Sequence, residues 1–207
     1  PPKCYNKGRN ERVVFIVQVL KDELRHKILL EAQHLFLQRG YDRTSLQMIA
    51  DKVNISKSNL YHYFKNKEEL FYELTDGAAD GLKKLILRFR DKRFDLHTGQ
   101  REYQVLLTEE VISLLLAEKY GLLLIMEQAH GTRYEDLRSS LIDMVAAKIA
   151  PLLADEDNCL LLAQIMARNL IDGTVQILKN RVRPREVRTN LNRLVEYHTK
   201  GINAMLK

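Results

Sequence analysis

The sequence predicts an all-α protein, and three observations carry that expectation. Only 9 of its 207 residues are Gly and 4 are Pro, so few positions favour loops. From Lys21 to the end, apolar residues recur at three- and four-residue spacing, the period of one helix face. The periodic stretches are bracketed by residues that start and stop helices, such as Ser56 and Pro184 at starts and Gly40 at a stop. With 45% apolar and 29% charged residues the chain can bury a sizeable core, and collagen-like and disordered classes are excluded. No run of 18 apolar residues exists, which excludes a transmembrane helix. The two cysteines, Cys4 and Cys159, make no disulfide framework and point to a reducing, cytoplasmic setting.

Residues 1–20 stand apart. Lys3, Lys7, Arg9 and Arg12 precede the apolar run Val13 to Leu20, which superficially resembles a signal peptide. No A-x-A-like cleavage site follows it, and Lys21, Asp22 and Glu23 come directly after, so secretion is not expected. A lone strand over Val13 to Val17 has no sheet to join. The expectation is a tail outside the fold.

The first helix is then expected over about 21–39, with Leu24, Ile28, Ala32, Leu35 and Phe36 as its stripe and Gly40 as its C-terminal stop. After Tyr41-Asp42-Arg43, Thr44 or Ser45 caps a second helix that turns Leu46, Ile49, Ala50 and Val53 inward. It stops near Asn54, a residue that tolerates positive φ. Ser56 caps a third helix through Phe64, with Leu60 and Phe64 buried. Two short helices and a tight turn within about twenty residues make a helix-turn-helix.

The stretch from Ile49 to Phe71, IADKVNISKSNLYHYFKNKEELF, resembles the DNA-binding signature of tetracycline-repressor-like (TetR) regulators. Ala32, Phe36, Gly40, Tyr41 and Thr44 extend the resemblance back, so it covers roughly 22–82. It implies a helix-turn-helix domain over 21–82, with its recognition helix about 56–64, and a helical ligand-binding and dimerisation domain over 83–207. Asn54 stands where the family usually has Gly, and Ser58-Asn59 where many relatives have Gly and a small residue. The resemblance also implies phosphate contacts from Thr44, Tyr63 and Lys67 and base contacts from the residues near Lys57 to His62.

The residue chemistry points the same way. A recognition helix reads base edges with its N-terminal residues, here Lys57, Ser58 and Asn59 after the capping Ser56. Tyr61, His62 and Tyr63 follow one turn on, and Lys65 and Lys67 suit phosphate contacts. Thr44 and Ser45 open the preceding helix and can add hydroxyl and backbone donors to a phosphate. Taken singly, the tyrosines read as packing aromatics and the lysines as a solvated face; it is their order around one capped helix that favours DNA. Charge agrees: residues 1–75 hold 13 Lys plus Arg against 9 Asp plus Glu, net +4, and residues 76–207 hold 20 against 18, net +2. So small a surplus needs two reading heads on one palindromic duplex, hence a homodimer.

Beyond the reader, a fourth helix is expected from Lys67 to about Arg90, a loop from Asp91 to Gly99, and apolar helices over Tyr103–Lys119 and Gly121–His130. Another runs from about Tyr134 to Leu153, interrupted near Pro151. The last two, Cys159 to Asn180 and a helix opened by Pro184, carry stripes suited either to a dimer's four-helix bundle or to packing within one chain. The resemblance implies a cavity for a small effector, with candidate wall residues Tyr103, Leu107, Met126, His130, Tyr134, Met166 and Asn169. The abundance of Leu, Ile and Met favours an apolar effector. No metal-ligand spacing, phosphate-binding Gly loop or nucleophile motif is present, so neither catalysis, metal nor cofactor is expected. The competing class is a helical carrier of an apolar ligand without a DNA role.

Overall fold

The computed structural model describes residues 7–91, 109–153, 157–180 and 183–205, with side chains described from residue 18 and, in the first segment, as far as 87. The expected loop beyond Asp91, residues 92–99, and the wall residues Tyr103 and Leu107 lie outside the described residues. Those described form helices and turns without a strand, an all-α fold. They divide into two compact units, residues 1–74 and 75–207.

In the N-terminal unit, α1 (Lys7–Arg39) buries Ile28, Ala32, Leu35 and Phe36, the stripe its spacing dictates. It ends where Gly40 takes φ 85° and donates its N–H to the Phe36 carbonyl at 2.8 Å. It starts earlier than the expected residue 21: residues 7–20 are helical and continuous with the rest of α1. Extending an existing helix adds one hydrogen bond for each residue fixed, whereas a separate strand needs a partner. The β-branched residues of the run cost only a few tenths of a kcal/mol each, roughly, against that gain. Val19 and Leu20 are exposed nonetheless, so at these two residues the extension adds helix and no core.

The core of this unit closes with α2 (Leu46–Val53), α3 (Lys57–Leu60) and the first turns of α4 (Lys67–Asp91). Leu46, Ile49, Ala50, Val53, Leu60, Phe64, Leu70 and Phe71 join the α1 stripe. Phe36 and Phe71 meet edge to face at 5.3 Å, and Tyr41 adds a second edge contact to Phe71 at 5.0 Å. Each such pair contributes roughly 0.5–1.5 kcal/mol beyond its buried area.

The C-terminal unit comprises the rest of α4, α5 (Glu109–Ala117), α6 (Lys119–Gln128), α7 (Leu137–Ile149), α8 (Cys159–Lys179) and α9 (Pro184–Met205). Glycine permits the closest approach. A Cβ at Gly81 would stand 2.3 Å from Leu114 of α5, and one at Gly173 of α8 would stand 2.9 Å from Leu194 of α9. Residues Gly121 to Met126 of α6 are all buried, as an all-round apolar helix must be. The α5–α6 junction falls at Glu118, slightly before the expected Tyr120-Gly121, because Gly121 is buried inside α6 rather than spent on a turn. At Pro151 the α7 path tightens into a 3-10 turn, Ala150–Leu153, which carries Leu152 and Leu153 into the core. That core joins Ile142, Ala146 and Ile149 of α7 to Ala163 and Ala167 of α8 and Ile202 of α9. Pro184 is the first residue of α9, where its missing N–H costs nothing.

Candidate nucleic-acid interface

Two serines and an asparagine shape the local geometry. Ser45 caps α2, its hydroxyl accepting the Met48 N–H at 3.2 Å. Asn54 closes that helix at φ 58° and ψ 46°, donating its N–H to Asp51 while Ile55 donates to Ala50, the paired bonds of a Schellman stop. Here Asn supplies the left-handed residue that is most often Gly. Ser56 then caps α3, accepting the Asn59 N–H at 3.1 Å. The helix is shorter than the expected 56–64. Regular bonds end at Leu60, and Tyr61 to Tyr63 form a tighter turn in which His62 donates to Asn59 and Tyr63 to Leu60. That tightening brings Phe64 into the core immediately before α4 begins. Asn66 and Glu69 cap α4 reciprocally: Asn66 accepts the Glu69 N–H at 2.7 Å and Glu69 accepts the Lys65 N–H at 2.6 Å.

What these caps leave outward is a polar, basic face. Lys57, Ser58 and His62 are exposed, Tyr61 is 47% exposed, and Asn59 and Tyr63 are half-buried, all above the buried anchors Leu60 and Phe64. The Lys57 ammonium lies 5.9 Å from the Tyr61 ring centroid, and Lys65 is exposed beyond. The face offers hydrogen-bond donors and acceptors with positive charge and no exposed carboxylate between Lys57 and Lys65.

Two of the expected phosphate ligands are otherwise employed. Thr44 is buried; its hydroxyl lies 2.8 Å from the Gly40 carbonyl and 3.3 Å from that of Leu35, so it ties the end of α1 to the turn. Beside it Ser45 and Arg43 are exposed, with the Arg43 Nε donating to the Arg39 carbonyl at 2.8 Å. Lys67 is half-buried, donates to the Tyr41 carbonyl at 2.8 Å and stands 4.0 Å from the centre of the Tyr41 ring. Burial lowers the pKa of this ammonium, with Asp42 opposing, and burial first, then Glu68, raises that of the Tyr41 phenol. Lys67 is thus a brace within the unit.

Five of the expected effector-wall residues are described. His130 and Asn169 are exposed, and an exposed side chain cannot wall a closed cavity. Met126 is buried within α6, Met166 packs half-buried beside the α7–α8 core, and Tyr134 is buried with its hydroxyl engaged. A groove of about 490 Å³ lies instead at the start of α9, lined by Arg183, Arg185, Glu186, Thr189, Asn190 and Arg193. Three arginines and one glutamate line it, and none of the five described wall residues is among them. Among the described residues no group of three metal-ligating side chains gathers, and no helix is long and apolar enough to cross a membrane.

Residues 28–74 match the family described as bacterial regulatory proteins, tetR family. The chain is 33% identical over 73 residues to the biofilm operon icaADBC HTH-type negative transcriptional regulator IcaR of Staphylococcus epidermidis, covering 35% of this chain and 40% of that protein. It is 35% identical over 69 residues to IcaR of Staphylococcus aureus strain Newman, covering 33% and 37%. The chain thus matches about two fifths of the length of these curated relatives. Among solved structures it is similar to NalD, the secondary repressor of the MexAB-OprM multidrug efflux pump in Pseudomonas aeruginosa, at 22% identity, 87% and 96% coverage and a TM-score of 0.44. A gamma-butyrolactone receptor, described as an ArpA-like protein, matches at 15% identity, 86% and 98% coverage and a TM-score of 0.45. Over residues 28–74, its helix-turn-helix stretch, the chain is thus similar to the tetR family of bacterial regulatory proteins.

Proposed function

We propose that the protein is a dimeric, sequence-specific DNA-binding transcriptional regulator, a repressor released by a small apolar effector. One observation carries the reading: a Ser56-capped helix presents Lys57, Ser58, Asn59 and His62 outward over two fully buried anchors, inside a tetR-family unit. Lys57 addresses guanine and Asn59 adenine in the major groove; Ser45, Arg43, Tyr63 and Lys65 hold phosphates. The matched relatives are described as negative transcriptional regulators, which supports repression by occlusion of a promoter.

Dimerisation is supported by apolar surface on the last two helices. Leu160, Leu161 and Ile165 of α8 and Tyr197 and Met205 of α9 are exposed, Leu160 by 70% and Tyr197 by 74%. A second copy of the chain covers such a face and brings a second reader to a palindromic site. The effector, apolar as the body's core is apolar, acts by shifting the population of states that place both readers on one duplex.

Selection from random duplexes at moderate salt tests the reading. A palindromic site should be enriched, bound by a dimer with affinity falling steeply as salt rises. Absence of any enriched site would put the carrier of an apolar ligand in its place.

A further inference from the structure

The segment between α6 and α7, residues 129–136, is short, polar and built with more internal bonding than a connection needs. Thr132 is buried; its hydroxyl donates to the Ala129 carbonyl at 2.7 Å and accepts the Tyr134 N–H at 3.1 Å. Gly131 takes φ 77°, and the Glu135 carboxylate receives its N–H at 2.9 Å with His130 Nδ1 at 3.2 Å. These bonds hold the Glu135 carboxyl below its ordinary pKa, the Gly131 N–H first and His130 second. The result is a preformed knuckle with Arg133 and Tyr134 at its tip.

That tip closes on α4. The Tyr134 hydroxyl donates to Asp76 Oδ1 at 2.7 Å, and Arg133 donates to the same oxygen at 2.6 Å and to the Tyr134 hydroxyl at 2.8 Å. The Tyr134 ring is buried, with the Arg133 guanidinium 4.8 Å from its centroid and the ammonium of Lys83, two turns further along α4, at 5.4 Å. On the other side of the knuckle, Arg138 at the start of α7 donates to the Met126 carbonyl of α6 at 3.0 Å and to Asp172 of α8 at 2.5 Å. A chain of polar contacts therefore runs from α8 through the α6–α7 knuckle to α4. Asp76 lies nine residues after Lys67, the first residue of that same continuous helix.

We infer that Tyr134, Arg133 and Asp76 form a latch that fixes α4 to the body, so that Tyr134 and Asp76 are positioning residues for operator binding. The inference rests on the functional reading above and adds its control point. Half-exposed ion pairs such as Arg133–Asp76 contribute little stability alone. The buried phenol is different: its hydroxyl reaches the Asp76 carboxylate only while α4 occupies this one place, which makes the contact discriminating between placements of α4. Packing needs only the ring. The hydroxyl and the carboxylate are what a positioning role requires and a filling role does not.

The test uses the full chain with Tyr134→Phe, Asp76→Ala and Asp76→Asn, and two duplexes derived from the selected site, one palindromic and one carrying a single half-site. Phe keeps the ring and removes the hydroxyl; Asn keeps the accepting oxygen. Tyr134→Phe and Asp76→Ala should each lower the ratio of palindrome to half-site affinity by at least about fivefold, the scale of an ordinary coupling between sites, and leave half-site affinity unchanged. Asp76→Asn should restore most of the ratio, and hydrogen exchange in the free protein should quicken at α4 amides in Tyr134→Phe. An unchanged ratio in both disrupting variants, with the wild-type chain binding its palindrome, overturns the latch and leaves the functional reading standing. Failure of the wild-type chain to select any duplex overturns the functional reading and the latch's regulatory role with it, whatever the exchange rates show.

Discussion

The two units differ in how far their polar residues reach. In the N-terminal unit most polar contacts are short-range: Ser45, Ser56 and Asn66 cap the helices they precede, and Thr44 bonds back to Gly40 and Leu35. The exceptions, Arg25 with Glu73 and Lys67 with Tyr41, brace the first turns of α4. In the C-terminal unit, beside local pairs such as Lys200 with Glu196 and Arg183 with Glu186, others reach across the chain, joining Asp76 to Arg133, Arg138 to Asp172, Lys179 to Glu127 and Arg188 to Glu109. Local capping leaves long side chains free to meet a partner. Long-range pairing consumes them in holding helices together. The first arrangement suits a surface that reads; the second suits a body whose helix positions carry information.

The largest way to break the comparison is to empty the N-terminal core. Phe36 is fully buried and stacked edge to face on Phe71, so Phe36→Ala should cost about 3–5 kcal/mol. Because the two units have separate cores, chemical denaturation followed by hydrogen exchange should show residues 24–74 losing protection before α6 and α8. Simultaneous loss in both units would mean that they fold as one.

A smaller change separates structural from DNA-facing hydroxyls. Thr44→Val leaves the Gly40 and Leu35 carbonyls without their donor and should destabilise the N-terminal unit by about 1–3 kcal/mol, measured by urea melts. The salt dependence of DNA binding should not change. If it falls by a phosphate's worth while stability holds, Thr44 faces the duplex after all.

These cases show which parts of the molecule were legible in the sequence. Helix ends were, because a stop at Gly40 or Asn54 and a cap at Ser45 or Ser56 depend on the few residues beside them. The start of α1 was not: a β-branched run reads as a poor helix in isolation, and what makes it helical is the helix already formed behind it. The outward residues Lys57, Ser58 and His62 follow from the cap and the two anchors, whereas Thr44 and Lys67 carry the right chemistry for phosphate and are turned to Gly40 and Tyr41. In the body, Tyr134 reads as a candidate cavity-wall residue; its hydroxyl meets Asp76, 58 positions away on another helix, a pairing beyond any local pattern.

Acid should act on one unit before the other. In the N-terminal unit His26, His34 and His62 are exposed, while α9 buries His198 in line with Leu191 and Ile202. Burial lowers the His198 pKa from its ordinary value of 6.5. The unfolded chain then takes up this proton at a higher pH than the folded one, so stability rises with pH across the interval between the two values and falls as pH drops below about 6.5. For one proton the slope cannot exceed about 1.4 kcal/mol per pH unit. Melts between pH 7 and pH 5 should show the body weakening first, and His198→Leu should flatten its pH dependence. A body equally stable at both pH values in the wild-type chain would contradict this.

The smallest effect discriminates between two lysines that the sequence treats alike. Lys65 is exposed and its side chain is free to neutralise a phosphate, so Lys65→Ala should reduce the slope of log affinity against log salt by roughly 0.9. Lys67 spends its ammonium on the Tyr41 carbonyl and ring, and placing it on a phosphate would surrender both. Lys67→Ala should therefore leave the salt slope nearly unchanged, weaken binding of every sequence to the same small degree through a looser α4 start, and lower the stability of the N-terminal unit. Equal slopes lost by the two variants would mean that DNA draws Lys67 away from Tyr41 on binding. The reader would then rearrange its own brace to hold the duplex, and the contrast between a locally fixed reader and a cross-linked body would hold only for the free protein.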